Sequence, residues 1–248
     1  PLAIAAGNTF ILKPSEKDPI ATLFLAELFL EAGLPRGVLN VVNGDKDTVD
    51  CLIKDDRVKA VSFVGSTPVA RSIYNISSNS GKRCQALGGA KNHALVLPDA
   101  NLDDTIKQII GAAFGSSGQR CMALSVSVVI GDIKDQFMNK MKVEIDKLKV
   151  GLDINDDNSF GPLISMEHMN KVKDYIKISE EEGADILIDG RRLNKGKNSQ
   201  EGFYLGATLI DNVKTSMAAY KNEIFGPVLQ IMHAKNLEEG IKIINDNP

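Results

Sequence analysis

The sequence predicts an α/β protein of two lobes, and three observations carry that prediction. Short apolar runs alternate with longer helix-periodic stretches along the chain. The alternation breaks once, at Pro98-Asp99. A hydrophobic content of 43% over 248 residues is enough to bury a core in one large domain or two smaller ones. Strand, helix, strand in repetition is the mark of parallel strands, because parallel neighbours need a crossover long enough to return over the sheet.

Taken in order, residues 10–12 read as a strand and 19–32 as a helix closed by Gly33 and Pro35. Residues 38–42 form a second strand ending at the turn pair Asn43-Gly44, and 46–54 a short helix. A third strand, 58–64, leads into a helix over 68–77, and 83–87 and 93–97 are extended. After the proline break come a helix over 102–114, a Gly/Ser-rich loop, a strand over 126–130 and an amphipathic helix over 134–149. The remainder repeats the alternation: helix 165–182, strand 186–188, extended segments around 203–209 and 228–233, and a helix over 237–245. The break assigns residues 1–97 to one lobe and 98–248 to the other, with a cleft between them as the expected site. No internal repeat or low-complexity linker interrupts the chain.

A formal charge of −3 and a pI near 5.7 leave no basic stripe, which argues against nucleic acid or an anionic membrane surface as partner. No apolar run approaches the roughly 20 residues that span a bilayer. The chain opens on Pro1 without a signal peptide or basic amphipathic leader. A processed protein and a piece of a longer one both account for that start, so it says nothing of compartment.

Cys51, Cys84 and Cys121 are too few and too scattered for a disulfide framework, and no C-x-x-C or His-rich spacing points to a metal. A reducing compartment suits them. Cys51, on the helix over 46–54, and Cys84, in an apolar stretch, are expected in the core. Cys121 differs: it closes the run Phe114-Gly115-Ser116-Ser117-Gly118-Gln119-Arg120-Cys121-Met122. Glycine and serine permit a tight exposed turn, and a neighbouring guanidinium eases thiol ionisation, which is how a nucleophile is presented. The competing reading is a buried structural cysteine after a helix. Phe63-Val64-Gly65-Ser66-Thr67 also has two readings, since it joins a strand to a helix: a phosphate site at the helix N-terminus, or an ordinary Ser/Thr cap. His93, His168 and His233 are far apart in sequence and are assigned no role.

Five motifs occur together in one order: Lys13-Pro14-Ser15-Glu16, Phe63-Val64-Gly65-Ser66, Leu87-Gly88-Gly89, Gly118-Gln119-Arg120-Cys121 and Glu223-Ile224-Phe225-Gly226-Pro227. In that order and spacing the chain resembles the aldehyde dehydrogenase superfamily over essentially its whole length. The details Gln85-Ala86-Leu87-Gly88-Gly89-Ala90-Lys91-Asn92-His93 and Gly118 to Ser125 resemble its CoA-acylating branch, which acts on methylmalonate semialdehyde.

The resemblance implies a Rossmann-like cofactor lobe followed by an αβ catalytic lobe, both incomplete, so that the chain reads as the central half of an enzyme. It implies Cys121 as the nucleophile, NAD as cofactor and CoA as acyl acceptor. Lys13 and Glu16 match positions that hold the adenosine ribose, Gly65 and Ser66 the strand–helix turn at the phosphates, and Glu223 and Phe225 the nicotinamide ribose and ring. A carboxylate at Glu16 accepts both ribose hydroxyls and repels a 2′-phosphate, which favours NAD over NADP. Without the surrounding match, Glu223 would read as a solvated turn carboxylate and Phe225 as a core aromatic. Ala86 occupies the position where hydrolytic relatives carry a glutamate that activates water; alanine cannot accept a proton, so the acyl-enzyme would wait for the CoA thiol. Arg120 is the candidate substrate-binding residue, either clamping a carboxylate bidentately or merely supporting the loop. A homotetramer, the mitochondrial matrix in a eukaryote and the cytoplasm otherwise are further implications. An ordinary hydrolytic dehydrogenase and a catalytically silent fragment are the competing readings.

Overall fold

A computed structural model describes residues 1–152, 157–192 and 202–248. It divides into two compact units, Pro1–Gly89 and Ala90–Pro248. The first contains α1 (Leu2–Ala5), β1 (Phe10–Leu12), α2 (Ile20–Glu31), β2 (Leu39–Val41), α3 (Lys46–Lys54), β3 (Ala60–Val64), α4 (Thr67–Asn79) and β4 (Arg83–Leu87). The second contains β5 (Asn92–Val96), α5 (Leu102–Phe114), β6 (Leu124–Ile130), α6 (Lys134–Ile145), α7 (Met166–Glu181), β7 (Asp185–Ile188), β8 (Thr208–Asp211), α8 (Ala218–Lys221), β9 (Val228–Ala234) and α9 (Leu237–Asn245).

In the first unit β1 pairs with β2 and β3 with β4, both parallel, in two separate two-stranded sheets. The helix between the members of each pair makes the crossover that parallel pairing requires. Along β3 and β4 half-buried and exposed residues alternate, so Val61, Phe63, Cys84 and Ala86 share the covered face, and α4 lies against the pair. Helix α2 is apolar all round, and exposes Ile20, Phe24, Leu25, Leu28 and Leu30.

The second unit is a three-layer α/β/α arrangement on a five-stranded sheet of order β5-β6-β9-β8-β7. All neighbours are parallel except β7 and β8. The period-two alternation of strands divides the core. Val126, Val128, Val228 and Met232 face the layer of α7, while Val129, Leu229 and Ile231 face α5 and α6.

Five expectations change. The units divide at Gly89/Ala90 and not near Pro98, because β5 pairs in register with β6 and so belongs to the second sheet. Cys51 is exposed, not in the core: on α3 it is Ile53 that is buried, and Cys51 lies on another face of the helix. Cys84 is half-buried. The extended segment expected around 203–209 pairs as a strand only over Thr208–Asp211, and the helix expected to reach 149 ends at Ile145.

Candidate active site

The loop that carries Cys121 begins where α5 stops. Ser116, Ser117 and Gly118 all adopt left-handed backbone, with φ of 52°, 57° and 67°. For the two serines that conformation costs on the order of 1 kcal/mol each, so neighbouring contacts must hold it. Ser117, only 2% exposed, donates its hydroxyl to Gly161 O at 2.6 Å. The Gln119 amide spans the same segment, donating to Pro162 O at 3.4 Å and accepting from Ile164 N at 3.0 Å. Gly118 has no alternative residue: a Cβ there would lie 2.2 Å from Gly226 O.

Beyond this bend the chain turns sharply, with Ala123 N donating to Arg120 O at 3.0 Å, which puts Cys121 at the exposed apex. Asn92, the first residue of β5, fixes the apex from beneath. Its Nδ2 donates to Cys121 O and to Ala123 O, each at 2.8 Å. Two carbonyls of the Cys121 turn are thereby tied to the edge strand of the sheet. Cys121 is exposed, as a nucleophile requires, and the buried structural reading does not hold.

Arg120 bends back on α5. Its Nη2 donates to Gly111 O at 2.7 Å, which also accepts from the Gly115 N–H, and to Ala112 O at 3.0 Å, both in the last turn of the helix. A bidentate carboxylate fork uses Nη2 together with Nε or Nη1. With Nη2 occupied, the expected bidentate clamp reduces to single hydrogen bonds from Nε or Nη1.

The opposite wall is the segment before β9. Phe225 has φ of 59°, rare for an aromatic residue, and its carbonyl accepts a hydrogen bond from His168 Nε2 at 2.6 Å. The two rings also meet edge to face, with centroids 6.2 Å apart. His168 is placed by the start of α7, where its backbone N–H donates to the capping Ser165 hydroxyl at 3.1 Å. Gly226 lets α7 approach, since a Cβ there would lie 2.7 Å from Val172 Cγ2.

These walls make one pocket, lined by Lys91, Asn92, Arg120, Cys121, Glu223 and Phe225 among others, all from the second unit. Four of the eight predicted site residues, Arg120, Cys121, Glu223 and Phe225, thus meet. Lys91 also enters, donating from Nζ to Asn222 O at 2.8 Å. Burial pushes Lys91 down to about 7, against the pull of Glu223.

The other four predicted residues lie in the first unit. Lys13 Nζ pairs with Glu16 Oε2 at 3.3 Å and donates to Gly44 O at 2.8 Å. A backbone hydrogen bond and the Lys13 ammonium hold the Glu16 carboxyl below its usual range, so it remains an acceptor. Gly65 N donates to Leu87 O at 3.1 Å, and a Cβ at Gly65 would meet the Phe63 ring. Ser66 precedes α4, yet its hydroxyl makes no capping bond. An exposed carboxylate with a fixed lysine, and an uncommitted hydroxyl at a helix start, fit ribose and phosphate groups of a dinucleotide. Ala86 sits opposite Phe63 in the β3–β4 register and is half-buried.

Sequence reasoning named Lys91 and Asn92 only as parts of a motif and gave His168 no role. The signal for Asn92 is faint: a polar residue opening a strand, next to the lysine of the same motif. Nothing local marks His168, which stands 57 residues from its partner.

Comparison with known proteins agrees with this arrangement. The family model "Aldehyde dehydrogenase family" matches residues 1–248. A malonate-semialdehyde dehydrogenase of Bacillus cereus is 51% identical over 247 residues, covering 100% of this chain and 50% of that protein. The crystal structure of methylmalonate-semialdehyde dehydrogenase from Oceanimonas doudoroffii superposes with a TM-score of 0.94 at 54% identity, over 99% of this chain and 50% of its own. A Sinorhizobium meliloti protein assigned as a methylmalonate-semialdehyde dehydrogenase, crystallised with NAD, gives 0.93 at 45% identity over 97% of this chain and 49% of its own. The chain therefore spans about half the length of the relatives it matches. On a family model matched from end to end, and on a superposition that covers 99% of the chain at 54% identity, the chain belongs to the aldehyde dehydrogenase family.

Proposed function

We propose that the protein carrying this chain oxidises malonate or methylmalonate semialdehyde with NAD and transfers the acyl group to CoA, and that Cys121 is the residue that bears the acyl group. The observation that carries the proposal is the exposed Cys121 at the apex of a turn held by Asn92, facing Glu223 and Phe225 in one pocket. The names of the relatives supply the substrate class.

Cys121 Sγ, as thiolate, adds to the aldehyde carbon and forms a thiohemiacetal. NAD, when bound, supplies the two-electron acceptor for the hydride that the thiohemiacetal carbon loses. Lys13 and Glu16 would hold its adenosine ribose, Gly65 and Ser66 its phosphates, and Glu223 and Phe225 its nicotinamide ribose and ring. Loss of that hydride leaves a thioester on Cys121. The β-carboxylate then departs as carbon dioxide, its bonding electrons passing into the thioester carbonyl as an enolate that takes up a proton. CoA thiolate attacks the thioester carbon and releases Cys121 as thiolate. The products are acetyl-CoA from malonate semialdehyde and propionyl-CoA from the methyl homologue. Arg120 contributes to holding the substrate carboxylate through Nε or Nη1 while its Nη2 supports the loop. Ala86 supports thiol transfer over hydrolysis, since it places no base where hydrolytic relatives have one.

The test is NADH formation by the complete protein with malonate-type semialdehyde, with and without CoA. Turnover is expected to require CoA and to vanish in Cys121→Ala, while Cys51→Ala and Cys84→Ala leave it in place. NADH production by the Cys121 variant would sink the assignment. In the same protein Ala86→Glu is expected to raise CoA-independent release of free acid, because a general base is worth roughly 100-fold or more.

A further inference from the structure

Lys91 shares the pocket with Cys121, and the chemistry above does not use it. Its Nζ has a single hydrogen-bond partner among the described residues, the carbonyl of Asn222. An ammonium has three donors, so two remain for a group entering the pocket. The neighbouring charges are Glu223, which favours the ammonium, and Arg120 in the same lining. On the other side lie His93, whose Nδ1 is 2.8 Å from Lys91 O, and Tyr220, edge-on to the His93 ring at 5.6 Å. Burial outweighs the pull of Glu223 on Lys91 and lowers it to about 7. A desolvated lysine with one neutral acceptor and room for two more is short of an anion.

We propose that Lys91 is a substrate-binding residue, its ammonium holding the carboxylate of the semialdehyde while Cys121 adds to the aldehyde carbon. The inference rests on the reading of Cys121 as nucleophile. It also divides labour between two cations. Arg120 is half-committed to the loop through its Nη2, whereas Lys91 keeps two donors for the carboxylate.

Competitive alkylation of Cys121 in the complete protein tests this, comparing iodoacetate with neutral iodoacetamide and following the Cys121 peptide by mass spectrometry. Both reagents need the thiolate, so the ratio of their rates cancels the ionisation of Cys121 itself. The ratio is expected to favour iodoacetate below pH ~7 and to fall by as much as about tenfold per pH unit above it, as the ammonium is lost. Lys91→Met is expected to flatten the ratio at its high-pH level, and Lys91→Arg to keep it high without the pH dependence. His93→Gln is expected to leave the pH dependence in place, which separates the two neighbouring titrations. In turnover, Lys91→Met is expected to raise KM for malonate-type semialdehyde while sparing propanal. A reactive Cys121 whose ratio is flat with pH, or still pH-dependent in Lys91→Met, overturns this inference and leaves the nucleophile assignment standing. A Cys121 inert to both reagents overturns the two together.

Discussion

Replacing Gly118 by alanine isolates how much of the site rests on one backbone contact. The residue has φ of +67°, and its missing Cβ would stand 2.2 Å from Gly226 O, 2.6 Å from Gly226 C and 3.0 Å from Ala113 O. All three are backbone atoms, so no rotamer change relieves the overlap. Left-handed backbone at alanine costs roughly 1 to 2 kcal/mol. Forcing two close-packed segments apart adds about 1 to 3 kcal/mol. Their sum, about 2 to 5 kcal/mol, is a large part of the roughly 5 to 15 kcal/mol that stabilises a typical domain. Gly111 provides the internal control: it lies within α5, and a Cβ there meets nothing within 4 Å. Gly111→Ala is expected to be neutral or to stabilise by up to about 1 kcal/mol through helix propensity alone. Urea unfolding of both variants, with iodoacetamide labelling of Cys121, measures the effect. A Gly118→Ala variant that loses under about 0.5 kcal/mol and labels at the parental rate would refute the claim that this contact positions the loop.

Three further perturbations follow from the same geometry. Asn92→Leu removes the amide that holds Cys121 O and Ala123 O, and is expected to cost about 1 to 3 kcal/mol on unfolding and to alter Cys121 labelling; an unchanged labelling rate would show that the turn holds itself. Arg120→Leu is expected to lower kcat/KM for malonate-type semialdehyde more than for propanal, by roughly 10-fold for one lost charge-assisted bond, and equal losses would leave Arg120 as a support for the end of α5 only. Helix α2, with Phe24 and Leu28 at 59% and 40% exposure, is expected to make this 248-residue chain self-associate and bind a hydrophobic dye, and Phe24→Lys with Leu28→Lys to suppress both; a monomeric, dye-silent parent chain would contradict it.

The three helices that sequence reasoning placed to the residue all carry their own caps at their starts. Asp45 accepts from Asp47 N ahead of α3, Asn101 from Asp104 N ahead of α5, and Asn236 from Glu239 N ahead of α9. Those signals lie within four residues, so one sequence displays them. The errors arose where the deciding partner is distant. Pro98 is a local break, but β5 joins the second sheet through pairing with β6, some thirty residues on, and no local pattern reports that register. Cys51 was misplaced because an apolar residue on a short helix does not say which face is covered. Helix α3 buries Ile53 and turns Cys51 outward.

The site divides the same way. Residue chemistry pointed to Cys121 and Arg120 and the family resemblance to Glu223 and Phe225, and the structure gathers the four in one pocket. What holds them is largely backbone: Gly118 against Gly226, Asn92 on two carbonyls, His168 on the carbonyl of Phe225. An amide or imidazole that binds a carbonyl is indifferent to the side chain on it, so such a link leaves no matching pair in the sequence. Its consequence is mechanical. Phe225 keeps its left-handed backbone between a hydrogen bond from His168 and a glycine that touches Val172, both on α7. Met169, Val172 and Ile176 root that helix in the core of the sheet. The ring wall of the pocket is thus held by α7, whereas the Cys121 turn is held by Asn92 at the start of β5 and by Arg120 on the end of α5. The proposed reaction presents Cys121 first to an aldehyde and then to a second thiol, and a wall and a turn held from different elements let the thiol keep one position relative to the ring wall through both steps.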